Sequence, residues 1–348
     1  MKVVNKVFIL GAFGYTTNQL DGQTIKTRNV YDLLTARYAG KVTKIDTLEI
    51  RKKPWLLFNM LANLISCKTL VLLPCLNNMT YLFPVVYFLS KVFGYEIVSI
   101  CIGGWQVEYF CGNDVFKPHP KQLQYNKRIK AFLPEMEKVN NDLKELLGFT
   151  NTEVFPNFRK FELKDVRKDI SKELRLVFMA RVNKRKGYPA IFELLTRLGK
   201  VGIEYNMTFY GPIADEDKSD FSAELEKGRN VKYEGSLNPD EIHSILADYD
   251  VLLLPTQYYT EGFPGSILDA YIAGIPVIVT EWKHSHEFVI EGETGFIVPF
   301  KDGQDVMFER VKWLNENRDK LQQMKHRSQL EANKYSEDAA WEVLRKYL

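Results

Sequence analysis

The sequence has little of what marks several common chemistries. Its four cysteines, Cys67, Cys75, Cys101 and Cys111, form no C-x-x-C pair and stand beside no histidine cluster. That argues against a zinc ribbon, a redox dithiol or a disulfide framework, and predicts that most of them are small buried thiols in a reducing compartment. Neither G-x-G-x-x-G nor G-x-x-x-x-G-K-[ST] occurs, so neither a dinucleotide fingerprint nor a P-loop is supported. His284 and His286 lie two apart without a third ligand, which disfavours zinc, and Asp215 and Asp217 read as a solvated acidic pair rather than a metal site. The amino terminus, MKVVNKVFILGAFG, lacks a long apolar core with a small-residue cleavage site, so no signal peptide is expected. The longest charge-free run, Thr69 to Ser90, is interrupted by Pro74, Asn77, Asn78 and Pro84, and reads as a buried strand, a loop and an apolar helix. No repeat of 20–50 residues and no low-complexity segment is present.

What is present is an ordinary globular composition, 45% hydrophobic and 26% charged, in 348 residues, a length that favours two domains over one core. The net charge of +3 hides an asymmetry: residues 1–150 hold 19 Lys and Arg against 11 Asp and Glu, the remainder 28 against 33. A basic front half points to an anionic surface or ligand there, with solvated charge scattered by chance as the alternative. Apolar runs alternate with helical patterns throughout. Strands are expected at 6–10, 69–74, 96–102, 152–156, 174–180, 205–211, 230–235, 251–255 and 276–280, with helices at 22–38, 81–93, 135–147, 187–200, 239–248 and 303–333. Strands apolar throughout and alternating with helices imply parallel, doubly wound sheets. A charge-dense segment at 160–172 is the expected linker, giving domains 1–165 and 166–335. The amphipathic segment 336–348, with Ala340, Trp341, Leu344 and Leu348 on one side, either completes the first domain or packs where it emerges. Two doubly wound domains facing one another would leave a central cleft at the carboxyl ends of both sheets.

Three loops at strand ends carry the candidate chemistry. After VLLLP comes TQYYTEGFPGSILDAY, where Glu261 could accept from hydroxyls and a helix near Ser266 could present its amino terminus to phosphate. Asp269 lies one turn into that helix, placed to hold a ribose diol. The spacing Ser266-x-x-Asp269 equally fits a variant capping box, with Glu261 an exposed loop acid, and the residues alone leave both readings open. After LRLVFM comes ARVNKRKG, where Arg181 and Lys186 could neutralise a diphosphate; a solvated basic loop is the alternative. After KVFIL comes a glycine-bearing loop ending at Gly22, and CIGGW repeats the pattern with Gly103 and Gly104.

Taken together these segments resemble a retaining GT-B glycosyltransferase of family 4, the group that includes capsule and lipopolysaccharide transferases. EGFPGSILDAYIAGIPVIVT is similar to that family's Glu-x7-Glu stretch, ARVNKRKG to its R…KG segment, FPNF to its turn before the linker, GETGFIVP to its late glycine signature, and DGQTIKTRNVYDLL to its front glycine loop and helix. The resemblance implies a GT-B fold of two Rossmann-like domains, acceptor in the first and nucleotide sugar in the second. It implies Glu261, Arg181 and Lys186 as catalytic residues, and Gly22, Gly211, Phe263, Pro264, Gly265, Ser266 and Asp269 as donor-binding, with Gly103, Gly104 and Glu287 as further candidates. Two departures stand out: the second acid is Asp269 rather than Glu, and IGGW replaces a histidine that many relatives carry.

The implied reaction is metal-independent transfer of a sugar from a nucleotide-diphosphate sugar, without a cofactor, to a glycan or polyprenyl-diphosphate-linked acceptor in cell-surface polysaccharide synthesis. Retention in this fold is explained by front-face attack, the leaving phosphate taking the acceptor's proton. The implied location is the cytoplasm, with peripheral contact at the inner face of the membrane through the basic front half, the run KQLQYNKRIK and the apolar segment 54–66. No nucleic-acid partner is expected. The alternatives are an epimerase sharing the fold and a nucleotide-sugar-binding protein without transfer activity.

Overall fold

A computed structural model describes residues 5–17, 19, 21–50, 52–167 and 172–348. Of the expected linker, 168–171 lie outside the described residues, as do Asn18 and Leu20 of the loop after the first strand. The chain divides into two compact units, Met1–Lys160 with Tyr335–Leu348, and Phe161–Lys334.

The first unit contains strands β1 (Lys6–Gly11), β2 (Lys41–Asp46), β3 (Thr69–Leu73), β4 (Glu96–Ile100) and β5 (Ala131–Leu133). Its helices are α1 (Gly22–Arg37), α2 (Leu56–Ser66), α3 (Phe83–Phe93), α4 (Gln106–Cys111), α5 (Pro120–Asn126) and α6 (Glu137–Glu145). The strands pair in parallel in the order β2-β1-β3-β4-β5. Parallel neighbours require a crossover, and helices on both faces explain why β1 and β3 carry almost no polar side chain. Val7, Ile9, Val71, Leu73, Val98 and Ile100 meet Val30, Leu33 and Leu34 of α1 in one core. The chain turns from β1 into α1 through a capping box, in which Asp21 accepts from the Thr24 backbone N–H and the Thr24 hydroxyl accepts from that of Asp21.

The second unit contains β6 (Leu174–Met179), β7 (Tyr205–Tyr210), β8 (Val231–Tyr233), β9 (Val251–Leu254), β10 (Val277–Thr280) and β11 (Gly295–Val298). Its helices are α7 (Tyr188–Lys200), α8 (Lys218–Lys227), α9 (Ile242–Leu246), α10 (Gly265–Ile272), α11 (Ser285–Phe288), α12 (Gln304–Glu316) and α13 (Arg318–Ala332). All pairings are parallel, in the order β11-β10-β9-β6-β7-β8. Counted from the unit's own first strand this is 6-5-4-1-2-3, the Rossmann order, and the winding reverses between β6 and β9. A final helix, α14 (Glu337–Leu344), returns to the first unit, where Ala340 and Leu344 are buried in its core beside Phe155 and Phe158, with Trp341 and Leu348 packed against it.

Several boundaries differ from expectation. Segment 152–156 is not a strand, contributing only a bridge between Thr152 and Phe132. Strands β2, β5 and β11 were not anticipated. The helix expected over 303–333 is two, parted at Asn317, whose φ of −120° and ψ of 61° leave the helical region.

Candidate active site

The reversal between β6 and β9 places two loops side by side at the carboxyl edge of the second sheet. They are the loop from β6 to α7, carrying Arg181 to Gly187, and the loop from β9 to α10, carrying Pro255 to Pro264. In an open α/β sheet this is where ligands bind. The loops are bonded to each other: the Gln257 backbone N–H donates to the Arg185 carbonyl at 2.7 Å, and the Thr256 hydroxyl to the same oxygen at 3.4 Å. Their contact requires glycine at 187, which has φ +92°, and a Cβ there would fall 2.0 Å from the Pro255 carbonyl oxygen.

Within this pair of loops Lys186 Nζ lies 2.5 Å from Glu261 Oε2. The Thr256 hydroxyl donates to the same carboxylate oxygen at 3.3 Å. Thr256 is itself held by Thr280 of β10, whose hydroxyl donates to its carbonyl. The Arg185 guanidinium and the Lys186 ammonium face the ring of Tyr258, at 4.0 and 5.1 Å from its centroid. The short turn Lys184–Lys186 is fixed at its start by the Asn183 side chain, which accepts from the Lys186 backbone N–H at 2.7 Å. Arg181 is exposed, and among the described residues it has no ion-pair partner. The structure therefore joins Lys186 to Glu261 and does not bring Arg181 into contact with either.

The Ser-x-x-Asp capping alternative is not formed. Helix α10 begins at Gly265 with Pro264 as its cap and has no side-chain capping bond; the Ile267 N–H turns back to the Pro264 carbonyl at 3.1 Å, which leaves those of Gly265 and Ser266, with no intrahelical acceptor, to face a ligand. Asp269 is 4% exposed, and its Oδ1 lies 3.2 Å from His243 Nε2 of α9. His243 is a residue that sequence reading missed. It sits alone in NPDEIHSILADYD with no motif around it, and only the packing of α9 against α10 reveals the pairing. Phe263 is buried and stacks on Phe288 of α11, 4.1 Å between ring centroids and 6° from parallel, which pins the loop behind Glu261. On α11, Glu287 Oε1 lies 3.3 Å from Nδ1 of the buried His284. Gly211, after β7, has φ +124° and lies against the Ala180 carbonyl, where a Cβ would come within 2.0 Å. It thus lets the loop after β7 cross that after β6.

The other candidates belong to the first unit. Gly22 opens α1, and a Cβ there would meet nothing within 4 Å. Gly103, at φ +82°, donates its N–H to Glu135 Oε2 at 2.8 Å. The other oxygen of Glu135 accepts from Lys26 Nζ at 2.8 Å, and that ammonium also donates to the Phe155 carbonyl at 2.9 Å. Lys26 and Glu135 are both almost fully buried; burial lowers the lysine pKa and the adjoining carboxylate opposes the shift. The pair ties the Gly103–Gly104 loop to α1. Asp215 is bound by Lys218 at 2.6 Å, Asp217 accepts from the Lys184 N–H at 3.1 Å, and among the described residues no group of three or more His, Cys, Asp or Glu is placed to hold an ion.

Residues 160–331 match the family model described as Glycosyl transferases group 1. An uncharacterized 41.2 kDa protein of the cps region of Klebsiella pneumoniae is 29% identical over 140 residues, 40% of this chain and 37% of that protein. The amylovoran biosynthesis glycosyltransferase AmsK of Erwinia amylovora is 29% identical over 152 residues, 42% of this chain and 37% of AmsK. In each the match spans little over a third of the relative's length. The crystal structure of Anabaena HepE in complex with UDP-glucose superposes with a TM-score of 0.74 at 13% identity, covering 98% of both chains, a likeness of fold alone. The chain therefore has the GT-B fold of two Rossmann-like domains, and the match to the group 1 model covers residues 160–331, nearly the whole of its second unit.

Proposed function

We propose that the protein is a retaining, metal-independent glycosyltransferase that moves a sugar from a nucleotide-diphosphate sugar to a glycan or polyprenyl-diphosphate-linked acceptor in cell-surface polysaccharide synthesis. It would work at the cytoplasmic face of the membrane. The observation that carries this reading is the Lys186–Glu261 pair at the winding reversal of a Rossmann sheet, next to the uncapped amino terminus of α10. An ammonium and the N–H groups of Gly265 and Ser266 at the start of α10 suit a diphosphate, whose charge grows as the bond to the sugar breaks. Glu261 accepts from sugar hydroxyls and keeps Lys186 in place. Asp269, set by His243, takes the ribose diol, and Arg181 supplies the second cation. The first unit takes the acceptor. UDP-glucose bound by a structure of the same fold, and the polysaccharide role in the name of AmsK, support the substrate class.

The acceptor hydroxyl oxygen bonds to the anomeric carbon as the bond from that carbon to the diphosphate oxygen breaks on the same face. The departing phosphate oxygen takes the hydroxyl proton, so no separate base is required. Incubation with a panel of nucleotide sugars and extracted lipid-linked acceptors, with the anomeric configuration of the product read by NMR, tests the proposal. Retention supports it. An inverted product overturns front-face transfer, epimerised donor without transfer supports the epimerase alternative, and donor binding with no turnover supports a binding protein.

A further inference from the structure

The first unit carries an apolar surface that its core does not use. The turn Asn78–Leu82 runs into α3, and along them Tyr81, Val85, Phe88 and Val92 recur at i, i+4, i+7 and i+11, all facing outward. Tyr81 is 75% exposed and Val92 73%. The opposite side of α3 buries Phe83, Val86 and Tyr87. Helix α2, which packs beside α3, repeats the arrangement: Met60 and Leu64 are buried while Leu57, Phe58, Leu61 and Ile65 are exposed, Phe58 by 78%, with exposed Trp55 just ahead. Helices apolar on both sides belong in a core or against lipid, and a contiguous exposed patch of this kind marks an interaction surface. Charge identifies the partner. Between Ile50 and Tyr95 there is no Asp or Glu, while Arg51, Lys52, Lys53, Lys68 and Lys91 are cationic, Lys53 being paired with Glu49 at 2.8 Å.

We propose that α2, the 78–82 turn and α3 lie flat on an anionic phospholipid bilayer, with the apolar stripes sunk to the headgroup–acyl boundary and the lysines on lipid phosphates. No helix among the described residues is long and apolar enough to cross a membrane; α2 and α3, at 11 residues each, are interfacial in length. A second copy of the chain is the weaker occupant, because a two-fold contact would set these cations against themselves with no acid in the segment to meet them. The proposal deepens the membrane-face reading above by naming the surface, and vesicle binding is read with no donor or acceptor present, so it and the transfer reaction can fail separately.

The full-length protein is floated with vesicles of phosphatidylcholine alone and of phosphatidylcholine mixed with phosphatidylglycerol. It is expected to bind the anionic vesicles, to release them as salt is raised, and to bind roughly tenfold or more weakly as the double variant Phe58→Glu, Val92→Glu, whose positions face outward and leave the melting temperature unchanged. Should that variant fail to fold, quenching of tryptophan fluorescence by lipids brominated on the acyl chain, lost in Trp55→Phe, decides instead. Equal binding by wild type and variant, no flotation, or a wild-type dimer that the variant splits without any vesicle binding would overturn the proposal.

Discussion

Lys186 and Glu261 meet at 2.5 Å although 75 positions separate them, because β6 and β9 are neighbours in the sheet and each loop leaves the same edge. Truncation of either side chain leaves its partner's charge unmatched in a site only about one-fifth exposed. Lys186→Ala and Glu261→Ala are each expected to lower transfer by roughly 10²–10³-fold, measured as kcat/KM with a saturating acceptor. Activity within about twofold of wild type in both variants would remove the pair from the mechanism.

The contact of His243 with Asp269 sets the orientation of a nearly buried carboxylate that is one methylene shorter than a glutamate. His243→Ala and Asp269→Asn should each raise the donor KM about tenfold with a smaller effect on kcat, since they act away from the reacting atoms. Inhibition by the nucleoside diphosphate product should weaken by the same factor. If inhibition is unchanged while KM rises, His243 serves the sugar rather than the nucleoside.

Gly187→Ala forces a left-handed conformation on an alanine and drives its methyl group into the Pro255 carbonyl. A loss of roughly 2–4 kcal/mol is expected from chemical denaturation, together with weakened donor binding because the two site loops are pushed apart. Undiminished stability would mean the loops close differently.

Asp250 lies at the far edge of the same sheet, bonded to Arg175 and 2.7 Å from Lys325, all largely buried. Burial opposes its ionisation, but Lys325 and Arg175 outweigh that and hold its pKa below the ordinary value. A carboxylate whose pKa is lower folded than unfolded adds stability above the ordinary carboxylate range and gives it up as pH falls through the folded value. Unfolding free energy should therefore drop below about pH 4. Asp250→Asn should cost about 3 kcal/mol at neutral pH and flatten that acid limb, as read from denaturant titrations at several pH values.

Turnover is expected to persist in EDTA. Asp215 and Asp217 already have partners in Lys218 and the Lys184 backbone. Complete loss in EDTA, restored by Mn²⁺, would bring this pair into the site and refute metal independence.

What the sequence disclosed tracks how strongly each residue's surroundings dictate its type. Strands β6, β9 and β10 are covered on both faces, so LRLVFM, VLLL and VIVT stand out as apolar runs. By contrast β2 is an edge strand with the polar sequence KVTKID, and β5 has only three residues, too short for a periodicity. Phe155 in the misread segment 152–156 is buried because it packs under α14, not because it joins the sheet. In the site, loops that follow apolar strands were legible, hence Lys186 and Glu261. The contact of His243 with Asp269 was not, because it depends on a neighbouring helix 26 positions away.

The return of α14 to the first unit sets an order on synthesis. Ala340 and Leu344 cover a core that includes Val30, Leu34 and Phe155, and the ribosome makes them only after the entire second unit. The first unit to emerge is thus the second to be finished. Until then its unclosed side offers bare apolar surface to chaperones, while the 161–334 unit, uninterrupted in the chain, can already have folded.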